Sequence, residues 1–196
     1  MLYPITRTAW AQSHRSAIAA WWHWCHSTGI PDVSIVQQWR IREIVGEVFG
    51  LDDAQATTPD QAATSICKIG LIRSYKRHQS PPSLSYLHEL LEDGPVVIEL
   101  NYTKGMRPSL CEKGVIQLGL FTQHRRTLNC FGSSDQGIHL QDSYGCSMFG
   151  YDGTFIIPYE LMGLVLPHAQ LYTAKPNPDY INHRKLRDAK RKNENA

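Results

Sequence analysis

The sequence predicts an α+β fold in which a layer of helices packs against an antiparallel sheet. The first half of the chain holds four segments in which apolar residues recur with the spacing of a helix. The second half holds five short runs rich in β-branched and aromatic residues, separated by turn-forming stretches such as SSDQG and GYDG. Helices that precede strands, rather than alternating with them, are typical of α+β proteins.

Two apolar helices open the chain. The first is predicted over residues 8–27, and its apolar positions are spaced three and four residues apart: Ile18, Trp21, Trp22 and Cys25. The second is predicted from Ser34 to Gly50, with an apolar stripe made of Ile41, Ile44, Val45 and Val48. Because further apolar residues lie around this second helix, we expect it to be buried on several sides, with Ser34 beginning the buried face.

The third and fourth helices carry clear boundary signals. Thr58 is placed to cap the third helix, with Pro59 in its first position and Gln61 completing a capping box. Gly70 ends this helix. The fourth helix lies within SPPSLSYLHELLEDG, presents a stripe of leucines and stops at Gly94.

The strands are predicted in the second half of the chain, within the segments PVVIELNYT, VIQLGLFT, RTLNCFG, GIHLQDS and GTFIIP. The segment PYELMGLV adds a last helical turn. We expect residues 1–173 to form a single domain. Residues 174–196 are polar, basic and rich in Pro and Asn, so we expect a loose tail there.

Composition excludes several classes of protein. The chain has 196 residues, of which 42% are apolar and 19% charged, as in an ordinary globular domain. No apolar run approaches the ~18 residues of a membrane-spanning helix. The first ten residues lack a basic region followed by an apolar one, so no conventional signal peptide is predicted. We therefore expect a chain that is cytoplasmic where it is made, and export by another route stays open.

The cysteines point to reduced thiols rather than to disulfides or a metal site. There are five of them, an odd number with irregular spacing and no C-x-x-C pair. The segment WWHWCH places His23, Cys25 and His26 together, but no second group of ligands accompanies them. We read this segment as an aromatic-rich helix with a structural thiol, and we predict neither a metal nor an organic cofactor.

One histidine and one aspartate lie where a sheet could bring them together. His124 precedes the run RTLNCFG, a turn follows at SSDQG, and Asp142 ends the run GIHLQD. If these two runs pair as antiparallel neighbours, both side chains lie at the same end of the sheet. An imidazole acts as a general base when a carboxylate holds its ring in one orientation, so the pair predicts a catalytic arrangement. Ordinary strand-end residues would give the same pattern.

The order of these segments resembles the papain-like cysteine peptidase superfamily, over roughly residues 30–165. LLEDGPVVIEL is similar to the Gly-Pro start of a family strand, and DSYG to the Asn-Ser-Trp-Gly motif of larger members. YDGTFIIPYELM resembles the closing strand and final helical turn. The likeness is strongest to the compact bacterial branch, which includes bacteriocin-leader peptidases and effector proteases. It implies a papain-like fold with a buried central helix packed on the sheet.

The resemblance also implies a nucleophilic cysteine at the N-terminus of the central helix, where backbone N–H groups favour a thiolate and donate to an oxyanion. The second helix, taken as the match, carries Ser34 there instead, and Thr28 stands where the family has a helper Gln. Ser34 could be an engineered replacement of a cysteine, a native nucleophile, or the cap of a non-catalytic domain. Cys25 is the runner-up nucleophile, disfavoured because it lies near a helix C-terminus.

The resemblance therefore implies a hydrolase or acyl-transferase acting on peptide or amide bonds. Ser34 would be the nucleophile, His124 the base and Asp142 its orienter, in a bacterial effector or toxin with a protein or peptide substrate. The alternative is a catalytically inactive papain-like module that binds a protein partner. We do not expect nucleic-acid binding by the basic tail, because no aromatic residue is interleaved with its Arg and Lys residues and no nucleic-acid module precedes it.

Overall fold

The computed structural model describes residues 15–30, 35–51, 56–103, 114–116, 121–142 and 153–180. Within these ranges the α-helices span Arg15–Ser27 (α1), Ile35–Phe49 (α2), Pro59–Ile69 (α3), Leu84–Asp93 (α4) and Tyr159–Val165 (α5). The strands of the same ranges span Ile72–Arg77 (β1), Val96–Thr103 (β2), Phe121–Ser134 (β3), Gly137–Gln141 (β4), Thr154–Ile157 (β5) and Gln170–Pro176 (β6).

The boundary signals of α3 act as the sequence predicts. The Thr58 hydroxyl accepts a hydrogen bond from the Gln61 backbone N–H, and the Gln61 side chain accepts one from the Thr58 N–H. Pro59 opens the helix, and Gly70 ends it with a left-handed φ of 82°. Local capping chemistry thus fixes both ends of this helix.

All six strands form one antiparallel sheet in the order β1-β6-β2-β3-β4-β5. The predicted α+β class is confirmed. The strands β1 and β6 were not predicted. In the chain β1 lies between two helices, and it pairs with β6, the last strand of the described residues. The strand β6 continues to Pro176, beyond the domain boundary expected at residue 173.

Two apolar cores lie on opposite faces of the sheet. One packs the first three helices against the sheet around Trp21, Trp24 and Tyr172. The other packs α4 and α5 against the opposite face of the sheet and is built largely from aliphatic side chains such as Ile98 and Leu140. The expected helical layer on a sheet is therefore present, with α4 and α5 forming a smaller layer on the other face.

Of the first three helices, α1 is the one that lies across the central strands of the sheet. It lies against β3 and β2, whereas α2 packs mainly against α3. Nearly every residue from Ser16 to Cys25 is buried, and the alanines at its start allow close approach to the strands. By contrast, Val48 and Phe49 at the end of α2 are exposed. The sequence favoured the second helix for this central position, and the structure gives it to the first.

Candidate functional site

The N-terminus of α1 contacts the strand β3, and β3 pairs with β4, which ends just before Asp142. Ser16, the second residue of α1, is only 3% exposed. Its hydroxyl oxygen lies 3.4 Å from the backbone nitrogen of Thr127 and accepts a hydrogen bond from it. A hydroxyl at the start of a buried helix is therefore held directly against β3.

A buried ion pair lies beside this contact. The Arg126 guanidinium donates a short hydrogen bond to Asp142 Oδ2, and both side chains are almost wholly buried. Arg126 alternates along β3 with Leu128 and Cys130, so it points to the aliphatic core face of the sheet. A buried guanidinium needs a carboxylate partner, and Asp142 supplies it.

Asp142 follows β4 directly and is 1% exposed. Its backbone N–H donates to the Gly153 carbonyl at 3.0 Å, which fixes the chain just before β5. Gln141, the preceding residue, pairs with Asn129 on β3. In this register Arg126 is a diagonal neighbour of Asp142 on the same face of the sheet.

His124 lies on β3 two residues before Arg126 and is exposed. The strand pairing that the sequence predicted for the His124 and Asp142 segments is present, with the two residues toward the same end of the sheet. Arg126 donates a hydrogen bond to the Asp142 carboxylate. The assignment of Asp142 as the orienter of His124 stays a prediction.

Ser34, the third residue of the predicted catalytic set, lies outside the described residues, so its role as nucleophile also stays a prediction. Residues 143–145 of the DSYG motif and the basic tail from residue 181 lie outside the described residues as well. The helix that Ser34 precedes, α2, packs mainly on α3 rather than on β3.

The three cysteines in the described ranges are free thiols in environments that disfavour a thiolate. Burial raises the pKa of Cys25 to about 12 and that of Cys130 to about 12. Burial also raises the pKa of Cys67. A thiol must ionise to act as a nucleophile, so these three positions are unsuited to that role. Cys111 and Cys146 lie outside the described ranges.

Within the ranges described above, no group of three or more His, Cys, Asp or Glu side chains is placed to hold a metal ion. Over the same ranges, no helix combines the length and the apolar character needed to cross a bilayer.

Sequence reasoning missed Ser16 and Arg126, although both left a signal. Arg126 alternates with the apolar residues Leu128 and Cys130 in RTLNCFG, so a strand there must turn a guanidinium toward the core. Such a residue requires a carboxylate on the neighbouring strand. Ser16 begins the run SAIAA, whose small side chains are typical of a helix that approaches a sheet closely.

No protein-family model matches the chain, and no curated protein matches its sequence. Solved structures are similar in fold. Xylellain, a cysteine protease from Xylella fastidiosa, is 14% identical, with 90% of this chain and 87% of that chain covered and a TM-score of 0.61. The Carica candamarcensis cysteine protease CMS1MS2, in complex with E-64, is 13% identical, with 90% and 94% covered and a TM-score of 0.62.

Digestive procathepsin L 3 from the larval midgut of Tenebrio molitor is 13% identical, with 85% of this chain and 67% of that chain covered and a TM-score of 0.52. At these identities the likeness concerns the backbone rather than the site residues. The chain has the fold of papain-like cysteine proteases.

Proposed function

We propose that this chain is a papain-like domain that binds an extended peptide or protein segment without cleaving it. The observation that carries the proposal is the buried pair of Arg126 and Asp142. A carboxylate in this position would support a general base only by holding an imidazole, and here it holds a guanidinium. Arginine stays protonated in proteins and cannot accept a proton from a nucleophile.

The nucleophile side of the site supports the same proposal. Ser16 stands at the start of the helix that packs on β3, and its hydroxyl accepts a hydrogen bond from a backbone N–H. A serine hydroxyl needs an adjacent base to become a nucleophile. The described thiols of Cys25, Cys67 and Cys130 all have raised pKa values. The fold favours a peptide as the bound segment, since the similar structures are those of proteases.

A second candidate function is hydrolysis or acyl transfer at peptide or amide bonds, with Ser34, His124 and Asp142 as nucleophile, base and orienter. Two observations favour it: the fold is that of cysteine proteases, and His124 lies on β3 while Asp142 directly follows the neighbouring strand β4. In this reading the chain would belong to the compact bacterial branch and act as an effector or toxin. Ser34 would be either native or a replacement for cysteine.

Peptide cleavage separates the two candidates. The full chain would be incubated with a tryptic peptide library, and new peptide termini would be followed by mass spectrometry. We expect no new termini from the wild-type chain and no difference for His124→Ala. Cleavage by the wild-type chain that His124→Ala abolishes, with an unchanged Tm, would overturn the binding proposal and establish the hydrolase.

A further inference from the structure

The strand β1 forms one edge of the sheet and carries an unusual concentration of positive charge. It pairs with β6 on one side and has no neighbouring strand on the other in the described part of the chain. We propose that this edge binds an extended acidic peptide segment of a partner protein as an added strand. The proposal is independent of the residues argued to form the candidate functional site.

The backbone of β1 is oriented to accept such a strand. The His78 N–H donates to the Leu171 carbonyl at 3.0 Å, in register with the pairing of Arg77 and Tyr172. In an antiparallel pair the direction of the backbone groups alternates along the strand. The N–H and C=O groups of Tyr75 and Arg77 therefore point away from β6, toward the open edge. These are the groups that an added strand would bond.

The side chains define the charge of the partner. Arg73, Lys76 and Arg77 are exposed on β1, and Lys175 is exposed on the adjacent strand. Arg77 lies on the face of the sheet that α3 covers, where its guanidinium is 3.6 Å from Asp60. Lys76 lies on the opposite face, which α4 and α5 cover. Cations therefore flank the edge on both faces, and an extended peptide with acidic residues on both of its faces complements them.

The same charges exclude a second copy of this chain as the occupant. Two β1 edges brought together would place like charges opposite one another, which opposes pairing. A partner strand with acidic side chains would turn each of these repulsions into an attraction. The edge thus discriminates between self-association and binding of an acidic segment.

The first experiment uses the full chain and a fluorescein-labelled eight-residue peptide in which pairs of Glu alternate with pairs of Val, so that Glu lies on both faces of the extended strand. We expect binding, followed by fluorescence anisotropy, that weakens as NaCl is added. Hydrogen–deuterium exchange in the complex should show slower exchange of the Tyr75 and Arg77 amides. Absence of binding, or binding without protection of these two amides, would overturn the proposal.

A matched pair of charge reversals tests the location. Lys76→Glu should weaken peptide binding about fivefold, because it turns one attraction into a repulsion. Lys68→Glu makes the same change of net charge at an exposed position of α3 and should change binding less than about twofold. Equal weakening by both variants, with circular dichroism unchanged, would contradict a site at the strand edge.

A second polyanion separates strand addition from general charge attraction. A labelled twelve-nucleotide oligothymidine has the charge but cannot pair with a strand edge. We expect it to bind more weakly than the peptide and to leave the Tyr75 and Arg77 amides unprotected. Binding as tight as that of the peptide, with the same weakening by Lys76→Glu, would instead assign the edge to nucleic acid and overturn the proposal.

Discussion

At the scale of single residues, the environment of a side chain decides what it can do. Arg126 and Asp142 are both charged, yet the sheet buries them together and makes them a structural pair. Arg125, the neighbour of Arg126, points to the other face, where it lies 3.2 Å from Glu99 and remains half exposed. The two arginines are adjacent in sequence and differ only in the face of the strand on which they lie.

This difference predicts unequal effects on stability. Arg126→Ala would remove the guanidinium that neutralises the buried Asp142 carboxylate. It should therefore lower the free energy of unfolding by about 3–5 kcal/mol. The matched control Arg125→Ala removes a pair whose arginine is half exposed and whose Glu99 is 19% exposed, and it should cost less, about 1 kcal/mol. Denaturant unfolding monitored by tryptophan fluorescence measures both. Similar losses in the two variants would show that the Arg126–Asp142 pair is not the buried contact described here.

His23 makes the stability of the fold depend on pH. It is 5% exposed, and burial, with a smaller contribution from His26, lowers its pKa from 6.5 to about 3. The folded chain therefore keeps the ring neutral while the unfolded chain binds a proton below pH 6.5. The contribution of His23 to the free energy of unfolding is therefore fully present above pH 6.5. It is lost as the pH falls toward 3, and it amounts to at most roughly 4 kcal/mol.

Substitution of His23 tests this account. His23→Gln should make the free energy of unfolding fall less steeply between pH 6.5 and pH 4, measured by urea denaturation at several pH values. His168→Gln, a change at an exposed histidine after α5, should leave the slope as in the wild-type chain. A slope that His23→Gln does not alter would mean that another group governs the acid sensitivity.

At the scale of the helices, small residues decide which helix lies on the sheet. The segments α1 and α2 are both rich in apolar residues, and their periodicity alone does not rank them. The alanines that follow Ser16 bring the backbone of α1 close to β3, which leaves α2 to cover α3. The helix N-terminus that faces β3 is therefore that of α1.

This placement predicts the behaviour of a thiol introduced at the N-terminus of α1. In Ser16→Cys the N-terminal backbone N–H groups and the Thr127 N–H would stabilise a thiolate. The native Cys25 thiol is the matched comparison, because it is also buried and lies near the C-terminal end of the same helix, which disfavours the anion. We expect a lower pKa at position 16 than at Cys25, measured from the pH dependence of iodoacetamide alkylation by peptide mapping. A pKa at position 16 that is not below that of Cys25 would contradict the inferred geometry.

At the scale of the whole molecule, the sheet joins distant parts of the chain. The strand β6 lies between β1 and β2, so the last described strand pairs with a segment about a hundred residues earlier. Lys175 and Ala174 of β6 pair with Ser74 and Tyr75. Residues beyond the boundary expected at Thr173 therefore belong to the sheet.

A truncated chain measures the contribution of this pairing. Ending the chain at Thr173 removes the β6 residues that face Ser74 and Tyr75 and should lower the free energy of unfolding by at least about 2 kcal/mol. For a domain of this size the corresponding fall in Tm is about 5 °C or more. Calorimetry of the full and shortened chains makes the comparison. Equal melting temperatures would show that the end of β6 contributes nothing to the sheet.

The sequence by itself determined the α+β class, both ends of α3, the hairpin turn between β3 and β4, and the position of Asp142 after a strand. These features depend on residues only a few positions apart. Gly137 illustrates this, since it closes the hairpin with a φ of 148°, which glycine adopts without the strain that a side chain would cause.

Only the tertiary structure decided which helix packs on the sheet, how β1 pairs with β6, and that Arg126 bonds to Asp142. Each of these depends on contacts between segments far apart in the chain, and several arrangements satisfy the local pattern equally well. Packing and burial choose among them, because a buried guanidinium must find its carboxylate and a helix with small residues can approach the strands most closely.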